Sequence, residues 1–487
     1  MKQNSSREVL LIIPELPSSS WLNSSVAGVT QPLGAAYLAS YLREGGFTVS
    51  IIDNCVERLA PGVLAERAAK LKPLLIGLTS TTTNFNNMLR LAGALKSRLP
   101  AVPLIAGGQH ASAMPEYTLN SGPFDAVAVG EGEETLLELA QKYAGGSSPE
   151  GVKGTYYRVD GKTRANPPRP LIADLDRLPL PAYDLLPMNA YHPSLSRRFT
   201  AGPSGSLLTA RGCAYNCSFC SKSVFSKTIR LRSPDSVIAE ARLLKEKYGA
   251  TELIVWDDAF TTDRERALEI ARGFRKATGL PWSCYTRTDH ACDALYAEFA
   301  ACGCREMLFG AESGCDAVLA GVSKRITSRD TENAVALARK HGISSFCSVI
   351  LGLPGDTRAT IKETVDFFVR INPDYAAFCV LVPFPGSELF DLAVKKGLLS
   401  PEAADWDAFV TIFSSKLPPV SLCALTPEEL MRAQKRAFRS FFLRPAYLRG
   451  RVKRAFRDGL AHRAGSFGKG ALTLLKHQLH DFGKARQ

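Results

Sequence analysis

Three closely spaced cysteines are the residues of this chain best suited to chemistry. Cys213, Cys217 and Cys220 form a C-x3-C-x2-C pattern, so three thiols lie within one short loop. A structural zinc site needs a fourth Cys or His to complete its tetrahedron, and no obvious candidate lies nearby in the sequence. The pattern therefore favours a [4Fe–4S] cluster over zinc or a chance grouping. A cluster held by three cysteines leaves one iron open for a substrate or cofactor.

Length and composition indicate a globular chain of several domains. The 487 residues are too many for one core and predict roughly two to four domains. Hydrophobic residues make up 45% and charged residues 22%, which excludes a disordered or fibrous chain. No apolar run approaches the roughly 18 residues of a membrane-spanning helix, and the run at residues 9–13 is too short for a signal peptide. We therefore expect a cytoplasmic protein.

The positive charge is concentrated at the C-terminal end. The chain has 60 Lys and Arg against 47 Asp and Glu, a net charge of +13. Residues 425–487 hold 15 Lys and Arg and four Asp and Glu, so they contribute +11 of that excess. Because the remainder is nearly neutral, we expect no nucleic-acid partner. Leu448, Val452, Phe456 and Leu460 recur among basic residues and predict an amphipathic helix, which either caps the barrel or contacts the inner membrane surface.

Two series of alternating strand-like and helix-like segments must position the cysteines. Residues 1–150 contain five short apolar runs between amphipathic helices, which predicts a doubly wound, Rossmann-like α/β domain. Residues 151–203 are interpreted as a connector with a hairpin signal, Asp160-Gly161, and a Pro-rich segment. Residues 204–395 contain six strand–helix units and predict a partial (β/α)6 barrel, with its chemistry at the strand C-terminal ends. Residues 396–487 are assigned to a basic helical region.

The strand ends of the first domain carry small and hydroxyl residues. Ligands of parallel sheets bind at these carboxyl ends, and small residues let a bulky ligand approach the backbone. Tight turns are the alternative interpretation. The candidate ligand-binding residues are Thr79, Ser80, Thr81, Gly107, Gly108, Gln109, His110, Gly130, Glu131, Gly132 and Glu133.

The cysteine motif resembles the signature of the radical S-adenosylmethionine (SAM) superfamily. The polar segments that end the later strands follow in the order typical of that family. The resemblance implies that Asp257 and Asp258 lie near the SAM amino group, Arg287 near its carboxylate and Glu312 near its ribose. The residues that it assigns to SAM are Phe219, Asp257, Asp258, Arg287, Glu312, Gly352, Leu353 and Pro354.

The family's mechanism follows from the open iron of the cluster. SAM binds that iron, and the reduced cluster donates an electron to its sulfonium, which yields a 5′-deoxyadenosyl radical. The electron would come from a donor such as a flavodoxin or ferredoxin. The apolar barrel shields the radical from solvent.

The first domain resembles the cobalamin-binding domain fused to many radical SAM enzymes. The segments that carry this resemblance are PLGAAYLASYLREGGFTVSIID, GGQHASAMPE and VGEGEET. No D-x-H-x-x-G motif is present, so no histidine of that motif can ligate cobalt. We expect His110 to line the cobalamin pocket without binding the metal. A degenerate domain that has lost cobalamin is the alternative.

Together the two resemblances imply a cobalamin-dependent radical SAM enzyme. The expected reaction is methyl transfer from methylcobalamin to an unactivated carbon, or less often phosphorus, of a small-molecule, tetrapyrrole or lipid substrate. One SAM would recharge cobalamin and a second would generate the radical. An oxygen-independent ring cyclase or rearrangement enzyme is the alternative within the family. A non-catalytic cobalamin or redox sensor is the alternative of another class, and a tRNA-modifying enzyme would need an RNA-binding module.

Overall fold

The fold was obtained as a computed structural model, which describes residues 6–17, 28–194, 197–412, 414–445 and 447–450. Most of the amphipathic segment predicted at the C-terminus, including Val452, Phe456 and Leu460, lies outside the described residues. Within the described part of the chain, no helix is long and apolar enough to cross a membrane.

The first half of the chain builds a sheet of seven strands in the order β2-β1-β3-β4-β5-β6-β7. Its strands are β1 (Glu8–Ile13), β2 (Thr48–Asp53), β3 (Leu75–Thr79), β4 (Leu104–Gly107), β5 (Ala126–Ala128), β6 (Thr155–Val159) and β7 (Lys162–Ala165). The first five are parallel, which confirms the predicted doubly wound α/β domain. Strand order reverses between β1 and β3, and ligands of such sheets bind at the carboxyl ends of these two strands.

Helices cover this sheet because their apolar residues recur on one side. They are α1 (Leu33–Glu44), α2 (Asn54–Glu57), α3 (Pro61–Leu71), α4 (Phe85–Arg98), α5 (Gln109–Ala113), α6 (Pro115–Ser121) and α7 (Glu133–Ala144). In α4, for example, Met88, Leu91 and Leu95 are buried, at the spacing of one helix face.

The predicted hairpin is present, but it extends the first sheet. Strands β6 and β7 pair antiparallel, and β6 also pairs antiparallel with β5. Both turn residues, Asp160 and Gly161, have positive φ angles (49° and 75°), as a two-residue turn requires. The segment interpreted as a connector therefore contributes two strands to the first domain's sheet.

The second half builds a six-stranded sheet in which all neighbouring strands are parallel, which confirms the predicted partial barrel. Its strands are β8 (Ser204–Leu207), β11 (Glu252–Val255), β12 (Trp282–Thr286), β13 (Cys304–Glu312), β14 (Ser344–Leu351) and β15 (Tyr375–Val380). Between β8 and β11, the short strands β9 (Ala210–Arg211) and β10 (Arg230–Leu231) form an antiparallel ladder around the cysteine loop.

Seven helices connect or follow these strands. They are α8 (Pro234–Tyr248), α9 (Arg264–Ala277), α10 (Asp293–Ala301), α11 (Asp316–Gly321), α12 (Ser328–Lys340), α13 (Arg358–Ile371) and α14 (Glu388–Lys395). Side chains cap several of them. The Ser233 hydroxyl, for example, accepts a hydrogen bond from the Ser236 amide at the start of α8 (3.2 Å).

One further helix, α15 (Pro427–Phe442), packs on the barrel. It begins with a capping box between Thr426 and Glu429. The Gln434 side-chain amide is buried and donates to the Phe378 carbonyl of β15 at 2.7 Å. This contact attaches the described part of the basic C-terminal region to the outside of the sheet.

Candidate active site between the two sheets

The cysteine loop follows β9 directly, and a glycine makes this approach possible. Gly212 has a φ of 92°, a conformation that favours glycine. A Cβ atom there would overlap the Thr228 carbonyl. Cys213 and Cys217 are half-buried, and Cys220 is exposed. The sequence thus places three thiols on one loop at the carboxyl end of the barrel.

The donor set of this loop fits an iron–sulfur cluster. Among the described residues, no three His, Cys, Asp or Glu side chains converge as they would on a single metal ion. In a four-iron cluster each thiolate instead binds a separate iron, so the thiols need to surround the cluster. Three cysteines from one loop can ligate three of the four irons and leave the fourth open.

A cavity of about 400 Å³ lies between the cysteine loop and the first sheet. Its walls include Ile13 at the end of β1, Thr79 at the end of β3, and Cys213 and Cys220 of the cysteine loop. The predicted cobalamin residues that also line it are Ser80, Thr81, Gly108 and Gln109. The fold therefore brings the two sets of strand-end residues, predicted separately, to one cavity.

A second cavity of about 160 Å³ extends under the strand ends of the first sheet. It shares Thr79, Gly108, Val224 and Phe225 with the larger cavity, so the two are adjacent. Its walls include the predicted residues Gly107, Gly130, Glu131, Gly132 and Glu133. A Cβ atom on Gly108 would lie 2.6 Å from the Thr79 hydroxyl, so this close approach of backbones requires glycine. The glycine-lined, largely apolar walls fit a large planar cofactor with an extended tail.

Buried ion pairs join the two domains beside this second cavity. The Arg211 guanidinium contacts Glu131 at 2.7 Å and Glu133 at 2.6 Å, and Arg230 contacts Glu131 at 2.6 Å. All four residues are buried. Burial alone would lower the pKa of Arg211, but the charges of Glu133 and Glu131 outweigh it and raise that pKa. Sequence reasoning assigned no role to either arginine, although Arg211 lies only two residues before the first cysteine of the motif.

The two adjacent aspartates after β11 have different surroundings. The Asp257 carboxylate accepts hydrogen bonds from the Thr209 amide at 2.6 Å and the Ala210 amide at 3.1 Å, and pairs with the Thr209 hydroxyl. Burial raises its pKa to about 6. Asp258 instead lines the larger cavity, near Lys222. Asp257 therefore holds the chain segment that leads into the cysteine loop, and Asp258 is the aspartate that faces the cavity.

A buried lysine connects the residues predicted to surround SAM. Lys324 Nζ pairs with Glu312 Oε1 at 2.9 Å, and the Lys324 carbonyl accepts a hydrogen bond from Arg287 at 3.0 Å. The lysine ammonium also lies 5.8 Å from the centre of the Phe219 ring. Glu312 has a φ of 61°, and the β13–β14 register shifts at this point. No motif in the sequence marked Lys324.

The remaining predicted SAM residues form a tight turn after β14. The amides of Gly352 and Leu353 donate to the Asp356 carboxylate at 2.8 and 3.0 Å. Gly352 has a φ of 96°, and Pro354 follows directly. Leu353 belongs to a small apolar cluster against which Phe219 of the cysteine loop packs. The turn therefore lies against the cysteine loop.

The structure places His110 in the protein interior, away from the walls of both cavities. Its ring stacks on Phe85 (centroids 3.9 Å apart) and meets the Trp406 ring edge-on at 4.8 Å. Its Nδ1 lies 3.2 Å from the Thr82 hydroxyl, and its Nε2 is buried without a hydrogen-bond partner. Burial lowers the pKa of His110 to about 3. We therefore leave His110 out of the proposed cofactor-binding set.

Comparison with known proteins assigns both halves of the chain. Residues 20–140 match the B12 binding domain and residues 207–368 match the radical SAM superfamily. This pairing confirms the expected combination of cobalamin with a radical SAM cluster.

Two similar relatives and one solved structure cover most of the chain. An uncharacterised methyltransferase of Pyrococcus horikoshii is 34% identical over 91% of this chain and 94% of the relative. The anaerobic magnesium-protoporphyrin IX monomethyl ester cyclase of Rubrivivax gelatinosus is 30% identical over 90% of this chain and 78% of the relative. The radical SAM methyltransferase TsrM from Kitasatospora setae, solved with cobalamin and a [4Fe–4S] cluster, has a TM-score of 0.69 at 21% identity. That match covers 91% of this chain and 90% of TsrM.

Proposed function

The chain belongs to the family of radical SAM enzymes that carry a B12-binding domain, and from this premise we propose that it transfers a methyl group to an unactivated carbon of a small-molecule substrate. The observation that supports this most strongly is the cavity of about 400 Å³, because residues from both domains line it. A methyl group carried on one cofactor and a radical formed at the other must meet at one substrate carbon. A single cavity between the strand ends meets that need.

When bound, the cofactors supply a transferable methyl group and a radical that abstracts hydrogen from carbon. Cys213, Cys217 and Cys220 would hold the iron–sulfur cluster. The residues proposed to position SAM around it are Phe219, Asp257, Asp258, Arg287, Glu312, Gly352, Leu353 and Pro354, with Asp257 acting through the backbone that it holds. The residues proposed to contact cobalamin are Thr79, Ser80, Thr81, Gly107, Gly108, Gln109, Gly130, Glu131, Gly132 and Glu133.

Two side-chain ion pairs would hold the residues of the two proposed cofactor sites in fixed positions. The Arg211–Glu131 pair fixes the cobalamin-side strand ends against the cysteine loop. The Lys324–Glu312 pair holds the proposed ribose carboxylate in place. The apolar barrel interior would exclude water from the reaction, and a flavodoxin or ferredoxin would supply the electron.

Ring cyclisation is the second candidate reaction. Its support is the similarity to the cyclase of Rubrivivax gelatinosus, which at 30% identity carries weight comparable to that of the methyltransferase relative. The mass of the product separates the two, since methyl transfer adds one methyl group and cyclisation does not.

The test is anaerobic reconstitution of the full chain with iron, sulfide and hydroxocobalamin. After desalting, the ultraviolet–visible spectrum reports retained cobalamin and cluster, and dithionite with SAM is followed by mass detection of 5′-deoxyadenosine. The variant Cys217→Ala should lose both cluster and product. Cys292→Ala, which alters a cysteine outside the motif, should keep both.

Two outcomes would contradict the proposal in different ways. Deoxyadenosine without retained cobalamin would rule out methyl transfer from that cofactor. An intact cluster without deoxyadenosine would instead favour the non-catalytic sensor.

A further inference from the structure

Four aromatic rings lie in one row across the barrel sheet. Tyr285, Leu308, Phe346 and Tyr375 are register partners on the four successive strands β12 to β15. Trp256, the residue after β11, stacks on Tyr285 with ring centres 5.2 Å apart. Phe346 and Tyr375 stack on each other at 4.8 Å with an angle of 13° between the rings. We call Trp256, Tyr285, Phe346 and Tyr375 the aromatic row.

The aromatic row faces the inside of the barrel. Side chains alternate along a strand, so residues next to the row point to the opposite face. Those neighbours, Cys284, Cys347 and Ala376, are fully buried in the main hydrophobic core. The four rings of the row are by contrast only partly buried. Tyr375, the first residue of β15, also contacts Phe442 of α15, with ring centres 5.1 Å apart.

One end of the row borders the proposed cofactor cavity. Trp256 lines the same cavity of about 400 Å³ as Cys213 and Cys220. On the cofactor side of the row, the next lumen-facing register partners are Gly310, Ser348 and Ala377. All three side chains are small, and a Cβ atom on Gly310 would meet Glu312 Oε1 and Lys324 Nζ, so the Lys324–Glu312 pair lies beside this position.

On the opposite side of the row, polar side chains that already have ion-pair or hydrogen-bond partners lie next to the rings. The Arg197 guanidinium pairs with Glu306 at 2.8 Å and lies 5.4 Å from the centre of the Phe346 ring. The Trp256 indole N–H donates to the Ser206 hydroxyl at 3.1 Å. Glu306 balances the charge of Arg197, and the Trp256 indole N–H already has a hydrogen-bond acceptor. A molecule bound above the row would therefore contact mainly the faces of the rings.

We propose that the aromatic row is the substrate-binding surface and that it accepts a planar, conjugated ring. This inference rests on the proposed methyl transfer and narrows its substrate class, because flat rings gain from offset stacking on other rings and saturated ring systems do not. Among the substrate classes expected from the sequence, saturated lipids therefore fit this surface least well. Both an indole-sized molecule and a tetrapyrrole have the required chemistry.

The test measures binding to the reconstituted holoenzyme in the presence of SAM without reductant. Equilibrium dialysis compares indole, protoporphyrin IX and octahydrobenzofuran, a saturated bicycle that is neutral like indole. We expect a planar probe to bind about tenfold more tightly than octahydrobenzofuran, the upper end of the effect that ring stacking supports. Binding of indole alone would identify an indole-sized site, and binding of protoporphyrin IX would identify a tetrapyrrole site.

Two variants in the row and two controls locate the site. Trp256→Leu and Phe346→Leu should each weaken binding of the planar probe about tenfold, whereas Trp256→Phe, which keeps a ring, should largely retain it. Tyr156→Leu, at a half-buried ring in the first sheet, should change nothing. The cluster spectrum and SAM affinity of each variant report whether it is folded.

The failure of this inference and that of the proposed function are separable. Equal binding of indole and octahydrobenzofuran, absence of planar-probe binding, or unchanged binding by folded Trp256→Leu and Phe346→Leu would overturn the aromatic site. Deoxyadenosine formed by the same preparation would still support radical SAM chemistry. Planar binding without deoxyadenosine would retain the site and contradict the reaction.

Discussion

The guanidinium of Arg211 lies 2.7 Å from the carboxylate of Glu131, and this buried pair connects the two sheets of the protein. Arg211 ends β9, two residues before the first cysteine of the loop, and Glu131 follows the last parallel strand of the first sheet. The distance between the two proposed cofactor sites therefore depends directly on this contact.

Replacing Arg211 with Met should destabilise the protein strongly. The variant leaves Glu131 and Glu133 buried with one of their cations missing, and breaking a buried pair in this way costs about 3–5 kcal/mol. Guanidinium chloride unfolding measures the change in the free energy of unfolding. We also expect the purified variant to retain less cobalamin after reconstitution.

The matched control for this prediction is Arg98→Met. Arg98 pairs with Glu66 at 2.7 Å, but both side chains are at least half exposed (50% and 59%). Exposed pairs contribute little, so its unfolding curve should overlay that of the wild type. Equal effects of the two substitutions would show that the interdomain pair has no special role.

Gly108→Ala should weaken cobalamin binding and His110→Phe should not, because Gly108 lines the cavity and His110 lies in the protein interior. An added Cβ at residue 108 would crowd Thr79 and Ser80 at a φ of 92°, so we expect reduced cobalamin retention. Phe at residue 110 fits an aromatic cluster and removes an unpartnered buried nitrogen, so cobalamin retention should persist. The absorbance of bound cobalamin after desalting measures both. Loss of cobalamin in His110→Phe would return His110 to the binding set.

Stability at mildly acidic pH should also change in His110→Phe. The pKa of His110 is lowered to about 3 by burial, so between about pH 6.5 and 3 the unfolded chain binds a proton that the folded protein does not. The contribution of His110 to wild-type stability should therefore decrease as pH falls from 7 to 5, and the variant should lack this loss. Urea unfolding at both pH values measures the difference, and parallel pH profiles would contradict the burial of a neutral histidine.

Features that depend on residues close together in the chain could be predicted from the sequence. Strand–helix alternation predicted both parallel sheets, and the spacing of Cys213, Cys217 and Cys220 marked the loop at which the cluster is proposed, because periodicity and motif spacing are properties of neighbouring residues. The partners of Glu131 and Glu312 were not predictable in the same way. Arg211 lies 80 residues from Glu131 in the chain, and only the packed fold brings their side chains together.

The expectation that His110 lines the pocket followed from its position in the sequence, but the structure directs its side chain elsewhere. Its position after Gly107 and Gly108 suggested a pocket residue, because the strand end was correctly located. The direction of its side chain depends on the first turn of α5 and on Phe85 and Trp406, which belong to distant segments. Local sequence gives the place of a residue in such a fold, whereas packing decides which way it points.

Asp257 should give the protein a pH-dependent stability that Asp257→Asn lacks. Because burial raises its pKa from 3.8 to about 6, the folded protein holds a proton between these values that the unfolded chain has released. The stabilisation from this bound proton is greatest below about pH 4 and is lost as pH rises through 6. Above that pH it no longer changes. Asn mimics the protonated acid, so the wild type should lose stability relative to the variant over this range. Thermal unfolding from pH 4.5 to 7.5 measures it, and a constant difference would contradict the raised pKa.

Lys324→Met should weaken SAM binding about tenfold or more. The substitution leaves the Glu312 carboxylate buried without its cation, and an unpaired buried charge costs enough to disturb the proposed ribose contact. Isothermal titration of SAM into the cluster-loaded protein measures the affinity directly. Lys324→Arg, which keeps the charge, should recover part of it. Lys340→Met removes a lysine from an exposed pair with Asp293 and should leave SAM affinity unchanged. A wild-type affinity in Lys324→Met would mean that Glu312 does not need this lysine to hold SAM.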